Sequence, residues 1–263
     1  MASSNDYATS NINLVVANVD SLYSYRMKTK TNFLREFSVM ENCSFVCVSE
    51  SHLRAAISDA EIKMDGFTLY RADRAQSRQR GGVATYVRDC PAWNAEVLMQ
   101  HSNAFVETLG LYIKALNLVL INIYRPPECE YGKFKNSLDK LSATLASLQA
   151  PLPEIMIVGD LNFPNMDWAT LSPVAGAPTL EKRQAALLKD FMEDWCLVQC
   201  VQSPTRGNNV LDVVLCNNDR LVRDVRTDTT EYSDHRWLVV TTDLCGKNGF
   251  ELREEKECAL WTN

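Results

Sequence analysis

The chain has 263 residues, 46% hydrophobic and 23% charged, with 27 Lys and Arg against 33 Asp and Glu for a formal charge of −6. This composition excludes a disordered chain, and ten Gly with nine Pro exclude collagen-like and low-complexity readings. The length allows one large domain or two small ones, and the mildly acidic balance argues against nucleic-acid binding through net charge alone.

Met1–Asp6 is polar and lacks the basic-then-apolar pattern of a signal peptide, so residues 1–10 read as a flexible N-terminal segment. Short runs rich in Val, Ile, Leu, Tyr and Phe then predict strands at Asn13–Asn18, Ser44–Ser49, Thr68–Arg71, Gly82–Val87, Phe105–Lys114 and Leu116–Tyr124. A weak helix is predicted over Lys28–Met40. Phe134, Leu138, Leu141, Leu145 and Leu148 recur in steps of four and three, one apolar face at helical period, until Pro151 and Pro153 stop it. A strand at Glu154–Val158 follows, and then a loop-like stretch over Pro164–Pro178. Leu180–Trp195 predicts another helix, with Leu187, Leu188, Phe191 and Trp195 inward. The last strands are Leu197–Val201, Val210–Leu215, Val222–Arg226 and Trp237–Thr241, before a charged tail at 245–263. No linker divides residues 11–244. The expected architecture is one α+β domain, two sheets packed face to face with helices outside. Apolar stretches such as Leu118–Tyr124 fall far short of the roughly 20 residues that span a bilayer, so no membrane partner is expected.

Nine Cys is an odd number, which rules out a complete intrachain disulfide framework. Cys43/Cys47 and Cys196/Cys200 lack the two-residue spacing of zinc ribbons and thioredoxin-like sites. Several cysteines, such as Cys47 and Cys216, sit inside apolar runs and read as small buried hydrophobes in a reducing compartment. His52, His101 and His235 are the three histidines available for acid–base work.

Strands that run into acids are the informative feature. Phe45–Ser49 runs into Glu50, Ile155–Gly159 into Asp160 with Asn162 two residues on, and Val15–Ala17 into Asn18 with Asp20 two residues on. Carboxylates that converge beyond strand ends repel one another unless a hard cation joins them, and Mg²⁺ takes oxygen ligands. Asp212 lies inside an apolar strand, where a carboxylate is costly unless paired. Either it faces water on an edge strand or it is buried and orients a partner. The best candidate partner is His235.

Together these residues resemble the endonuclease/exonuclease/phosphatase (DNase I-like) superfamily, most of all the endonuclease domain of non-LTR retrotransposons. The resemblance spans roughly Asn11–Leu244, with the motifs in family order. They are Asn18-Val19-Asp20, Ser49-Glu50-Ser51 (Ser49 in place of the usual Thr), Gly81-Gly82-Val83-Ala84 (one Gly short), Tyr124-Arg125-Pro126-Pro127, Gly159-Asp160-Leu161-Asn162 (Leu161 where Phe is commoner), Pro204-Thr205-Arg206, Leu211-Asp212 and Ser233-Asp234-His235.

The resemblance implies a four-layer sandwich of two mainly antiparallel sheets flanked by helices. It implies a Mg²⁺- or Mn²⁺-dependent phosphodiesterase, foremost a DNA endonuclease that nicks one strand. By that likeness Glu50 is the main metal ligand, with Asn18, Asp20 and Asp234 in or near the metal shell. Asp160 positions or deprotonates the water, Asn162 donates to a phosphoryl oxygen, and His235, held by Asp212, contacts the scissile phosphate. Tyr124 binds the phosphate or orients the site. Arg is suited to bidentate phosphate contacts, so Arg74, Arg78 and Arg80, with Arg125 and Arg206, are the expected nucleic-acid-binding residues. Lys28, Lys30 and Arg35 form a second basic stretch.

Two other readings stand beside this one: a phosphoesterase of the same fold acting on a small or lipid phosphate ester, and a non-catalytic transposon-derived nucleic-acid-binding fragment. DNA is the expected partner and the cell interior, foremost the nucleus, the expected location. The match takes up nearly the whole length, so a reverse transcriptase is expected from a partner in trans or from a longer parent chain.

Overall fold

The computed structural model describes residues 12–23, 29–74, 80–90, 93 and 95–244. The expected N-terminal segment and the tail lie outside these, as do Lys28 and Arg78.

The chain first lays down β1 (Ile12–Asn18), α1 (Thr29–Met40), β2 (Cys43–Ser49), β3 (Phe67–Ala72), β4 (Val83–Arg88) and β5 (Ala95–Ser102). Then come β6 (Glu107–Ile113), β7 (Leu118–Tyr124), α2 (Tyr131–Ala146) and β8 (Glu154–Asp160). Two short strands, β9 (Met166–Asp167) and β10 (Ser172–Pro173), precede α3 (Thr179–Asp194). The last four strands are β11 (Val198–Gln199), β12 (Asp212–Cys216), β13 (Val222–Asp228) and β14 (Trp237–Thr242).

One six-stranded sheet runs β13-β14-β1-β2-β4-β3, and the other runs β11-β12-β8-β7-β6-β5. Each has a parallel pair at its centre, β1 with β2 and β7 with β8. Parallel neighbours need a crossover. Helix α1 supplies it in the first sheet and α2 in the second. All other pairs within the two sheets are antiparallel.

Period-two alternation sorts the side chains into layers. Leu14 and Val16 face the second sheet and share one apolar cluster with Leu109, Leu120, Met156 and Val158. Val15 and Ala17 face outward, into a cluster with Leu34 of α1 and with Trp237. On the other side, Ile155 and Ile157 pack beneath Phe134, Leu138, Leu141 and Leu145 of α2 and beneath Leu188 and Phe191 of α3. The order is therefore helix, sheet, sheet, helices, as expected from the resemblance.

Three differences from the sequence reading have physical reasons. Strand β5 went unforeseen because it is an edge strand in which Met99 alone is buried, which leaves no alternation to read. The long runs around residues 105–124 are split by a 3-10 turn at Lys114–Leu116, closed by Asn117 in the left-handed region. The Leu197–Val201 run shortens to Val198–Gln199, again at a sheet edge.

The topology places the site. Strands β1, β2, β7 and β8 all end at one edge of the sandwich, with Asn18 aligned to Ser49 and Tyr124 to Asp160. Antiparallel β12 starts at that edge, with Asp212 opposite Asp160. Buried Asn122 locks the sheets together nearby, its amide donating to the Val48 and Ala84 carbonyls at 3.1 and 3.0 Å.

Candidate active site

Backbone strain marks the edge where these strands end. Asp20, Ser21, Glu50, His52 and Asn162 all take positive φ, a left-handed conformation that costs a non-Gly residue about 1 kcal/mol or more. Gly159 sits at φ +128, and an added Cβ would lie 2.0 Å from the Ile123 carbonyl oxygen, so only glycine fits between β7 and Asp160.

Two groups of potential ligands face each other here. Asp20, Glu50 and His52 offer atoms within 4.8 Å of one another, and so do Asp160, Asp212 and His235. Asn18 joins the groups, its buried amide donating to Glu50 Oε1 and to Asp160 Oδ2, both at 2.9 Å. Asn162 donates its backbone N–H to Asp160 Oδ1 at 2.9 Å and its side-chain amide to Oδ2 at 2.8 Å. The Nδ1 atom of His235 lies 2.7 Å from Asp212 Oδ2, with both side chains buried.

The electrostatics divide the acids by task. Burial pushes the Glu50 carboxyl up, but the His52 ring beside it and the hydrogen bond from Asn18 outweigh it and hold the group at about 2. Glu50 is therefore a standing anion. Asp160 goes the other way. Complete burial and the neighbouring Asp212 drive its pKa well above the usual carboxylate value, against the pull of His235 and Asn18. Burial lowers the His235 pKa, yet the hydrogen bond and charge of Asp212 carry it up to about 9, so the ring is cationic at neutral pH. Burial and the neighbouring charges of Glu50 and Asp160 push the Tyr124 phenol pKa up.

The donor set suits a hard cation. It consists of carboxylate oxygens and an imidazole without a thiolate, and Glu50 is already ionised. A cation would also relieve the crowding of Asp160 and Asp212.

The structure brings Asn18, Glu50, Tyr124, Asp160, Asn162, Asp212 and His235 into one cluster. Asp20 sits at its rim, 63% exposed and 4.0 Å from His52. Asp234 lies outside the cluster, paired with Arg206 at 2.6 Å in the open. Both amide hydrogens of Asn162 are engaged, one by Asp160 and one by the Arg125 carbonyl, so it acts on Asp160 rather than presenting a free donor to phosphate. Arg125 is 2% exposed and lies beneath the site, not on the surface where DNA would meet it. Arg74 is likewise buried, its Nε 2.8 Å from Glu107 Oε1. Only Arg80 and Arg206 of the expected binding arginines present exposed or half-exposed side chains among the described residues.

Sequence reasoning passed over His52, although its place two residues after Glu50 was a signal. His52 Nε2 lies 3.4 Å from Glu50 Oε2. The ring also lines an adjoining cavity of about 510 Å³ with Ser21, Tyr23, Arg54, Ile57 and Arg80. Gln184 of α3, buried against Arg125, and Glu107 carried no sequence signal at all.

Residues 118–239 match the Endonuclease-reverse transcriptase family. This stretch holds Tyr124, Asp160, Asn162, Asp212 and His235. Among solved structures, the chain is similar to the endonuclease domain of TRAS1, a telomere-specific non-LTR retrotransposon, at 16% identity and a TM-score of 0.62 over 89% of this chain and 99% of that one. The fold is the DNase I-like one. The AP endonuclease LMAP from Leishmania major shares it at 16% identity and a TM-score of 0.68, over 88% of this chain and 87% of that one. So does the 3'-5' exonuclease NExo from Neisseria meningitidis, at 15% identity and a TM-score of 0.63, over 88% and 100%. No curated protein matches the DNase I-like chain in sequence. Among the described residues, no helix is long and apolar enough to cross a membrane.

Proposed function

We propose that this chain is a divalent-cation-dependent phosphodiesterase that nicks one strand of DNA, the target-cleaving nuclease of a non-LTR retrotransposon. One observation carries the reading. Seven polar residues from six chain segments meet at one sheet edge, with a standing anion, a high-pKa carboxyl and an imidazolium side by side. The match over residues 118–239 to an Endonuclease-reverse transcriptase family supports the retrotransposon branch.

Glu50 would hold Mg²⁺ or Mn²⁺, with Asp20 and Asn18 beside it. The ion, when bound, supplies charge neutralisation on the phosphate and stabilises the leaving oxygen. Asp160 holds the attacking water and takes its proton, a task that suits a carboxyl whose pKa lies well above the usual value. Asn18 and Asn162 fix the rotamer of Asp160 from two sides. His235 commits Nδ1 to Asp212 and offers Nε2 to a phosphoryl oxygen, a charge-assisted donor aimed at developing negative charge. Tyr124 orients Glu50. Arg80, Arg54 and Arg206 meet the flanking backbone. Asp234 holds Arg206 in place. A reverse transcriptase would act in trans or from a longer parent chain, on chromosomal DNA in the nucleus.

The test is relaxation of supercoiled plasmid by purified protein with Mg²⁺. A panel of soluble and lipid phosphate esters runs beside it, and faster turnover of any of these than of DNA would replace this reading with a phosphoesterase one.

A further inference from the structure

Arg125 sits where a DNA-binding residue was expected, directly after Tyr124, yet its guanidinium points inward. Most of its polar groups are committed to the segment Asp160–Asn162. Its backbone N–H donates to the Asp160 carbonyl at 2.9 Å, and its own carbonyl accepts from the Asn162 side-chain amide at 3.0 Å. Its Nη1 donates to the carbonyls of Leu161 and Asn162 at 2.7 and 3.0 Å. Its Nη2 donates to Gln184 Oε1, and Gln184 in turn donates to the Cys129 carbonyl at 2.7 Å. Among the described residues, Nε alone lacks a partner. The guanidinium lies over the rings of Phe163 at 4.1 Å and Phe134 at 5.3 Å.

This arrangement is costly. A buried cation normally faces a carboxylate, and no acid lies within ion-pair reach of Arg125 among the described residues. Carbonyl oxygens and two aromatic faces take the carboxylate's place. What the arrangement secures is geometry. Asn162 stands at φ +50, a strained conformation for a residue with a side chain, and its amide must reach Asp160 from there. Nη1 bonds two successive carbonyls of that turn while Nη2, the other arm of the planar fork, is tied to Gln184 on α3. A lysine ammonium, a compact point charge, cannot reach the two carbonyls and Gln184 at once in one fixed plane.

We propose that Arg125 and Gln184 form an internal clasp that positions the Asp160-Leu161-Asn162 turn for catalysis. Arg125 is thus a positioning residue rather than a nucleic-acid contact. This inference rests on the reading of Asp160 as the water-holding group, and its test separates the two.

The experiment uses the full chain with Arg125→Lys and the milder Gln184→Met, which keeps the helix and the packing volume. Two readouts are taken: kcat, KM and salt dependence of plasmid nicking, and amide hydrogen exchange by mass spectrometry over residues 159–163. The expected result is a fall in kcat of about 100-fold for Arg125→Lys and about tenfold for Gln184→Met. KM and the salt slope should stay within about twofold. Exchange should accelerate in that segment while the central strands stay protected. Unchanged exchange in folded Gln184→Met protein would overturn the clasp, whether or not the chain nicks DNA. So would a raised KM with a flattened salt slope and intact kcat, the signature of a phosphate contact. Accelerated exchange in a chain whose wild type is inert on DNA would support the clasp and overturn the functional reading instead.

Discussion

His235 and Asp212 form a buried pair, Nδ1 to Oδ2 at 2.7 Å, on segments 23 residues apart. The pair makes the imidazole a cation whose pKa is raised to about 9. A raised value means the charged form is fully present below the ordinary 6.5 and is lost as pH rises through about 9. If the cation is the donor to phosphate, nicking holds up to mildly alkaline pH and falls above about 9. Asp212→Asn should move that limb down towards 6.5 and lower kcat by about 10²–10⁴-fold, as loss of a positioned acid–base group does. The stability share of the pair follows the same window, complete below about 6.5 and lost through about 9. Urea titrations across this range read it directly.

Metal dependence divides the carboxylates. Glu50 is ionised at any working pH, whereas Asp160 carries a proton more readily than an ordinary acid. Binding of Mg²⁺ should therefore release protons, raise Tm and bring the Asp160 pKa down. Glu50→Gln should abolish the Tm gain. Calorimetry in buffers of different ionisation enthalpy measures the proton release, and none would be seen if the cation bound elsewhere.

The buried Arg74–Glu107 pair is structural in its effect. Glu107 is fully buried and also accepts from the Gly82 N–H at 2.9 Å, while the Arg74 guanidinium lies over the Tyr124 ring at 5.3 Å. Arg74→Ala leaves the buried Glu107 carboxylate without its cation, and the expected loss is about 3–5 kcal/mol of stability. Denaturant melts check this. The salt slope of DNA binding should not move.

Arg54 and Arg80 are exposed and line the cavity beside His52 and Glu50. Their replacement by Ala should weaken DNA binding at low salt and reduce the slope of log K against log salt by about 1 for each phosphate no longer neutralised. Filter binding at several salt concentrations reads the slope. The contrast with Arg74 separates a surface residue that meets DNA from an internal brace.

Much of this was legible in the sequence, for a physical reason. Leu14 and Val16 alternate with Val15 and Ala17, and Phe134, Leu138, Leu141 and Leu145 recur at helical spacing, because each element buries one face. The strand-end acids stood out because a carboxylate next to a buried strand needs a partner. Asp212 showed this most clearly, and the structure buries it against His235. The sequence was silent where the partner is remote and ordinary in type. Nothing about Gln184 announces that α3 will carry it to Arg125, 59 positions away in the chain. Nor does Arg74 announce an internal partner, since clustered arginines read as a surface until Glu107 is placed beside them. Edge strand β5 was missed because exposure removes the alternation that marks a strand.

The most direct measurement is conversion of supercoiled plasmid to open circle by the wild type, Asp160→Asn and His235→Ala proteins, with Mg²⁺ and with EDTA. The wild type should nick with Mg²⁺ and not with EDTA, and either variant should lose at least about 100-fold in rate. Nicking that survives EDTA, or that persists at the wild-type rate in Asp160→Asn, would contradict a metal-dependent nuclease built on this site.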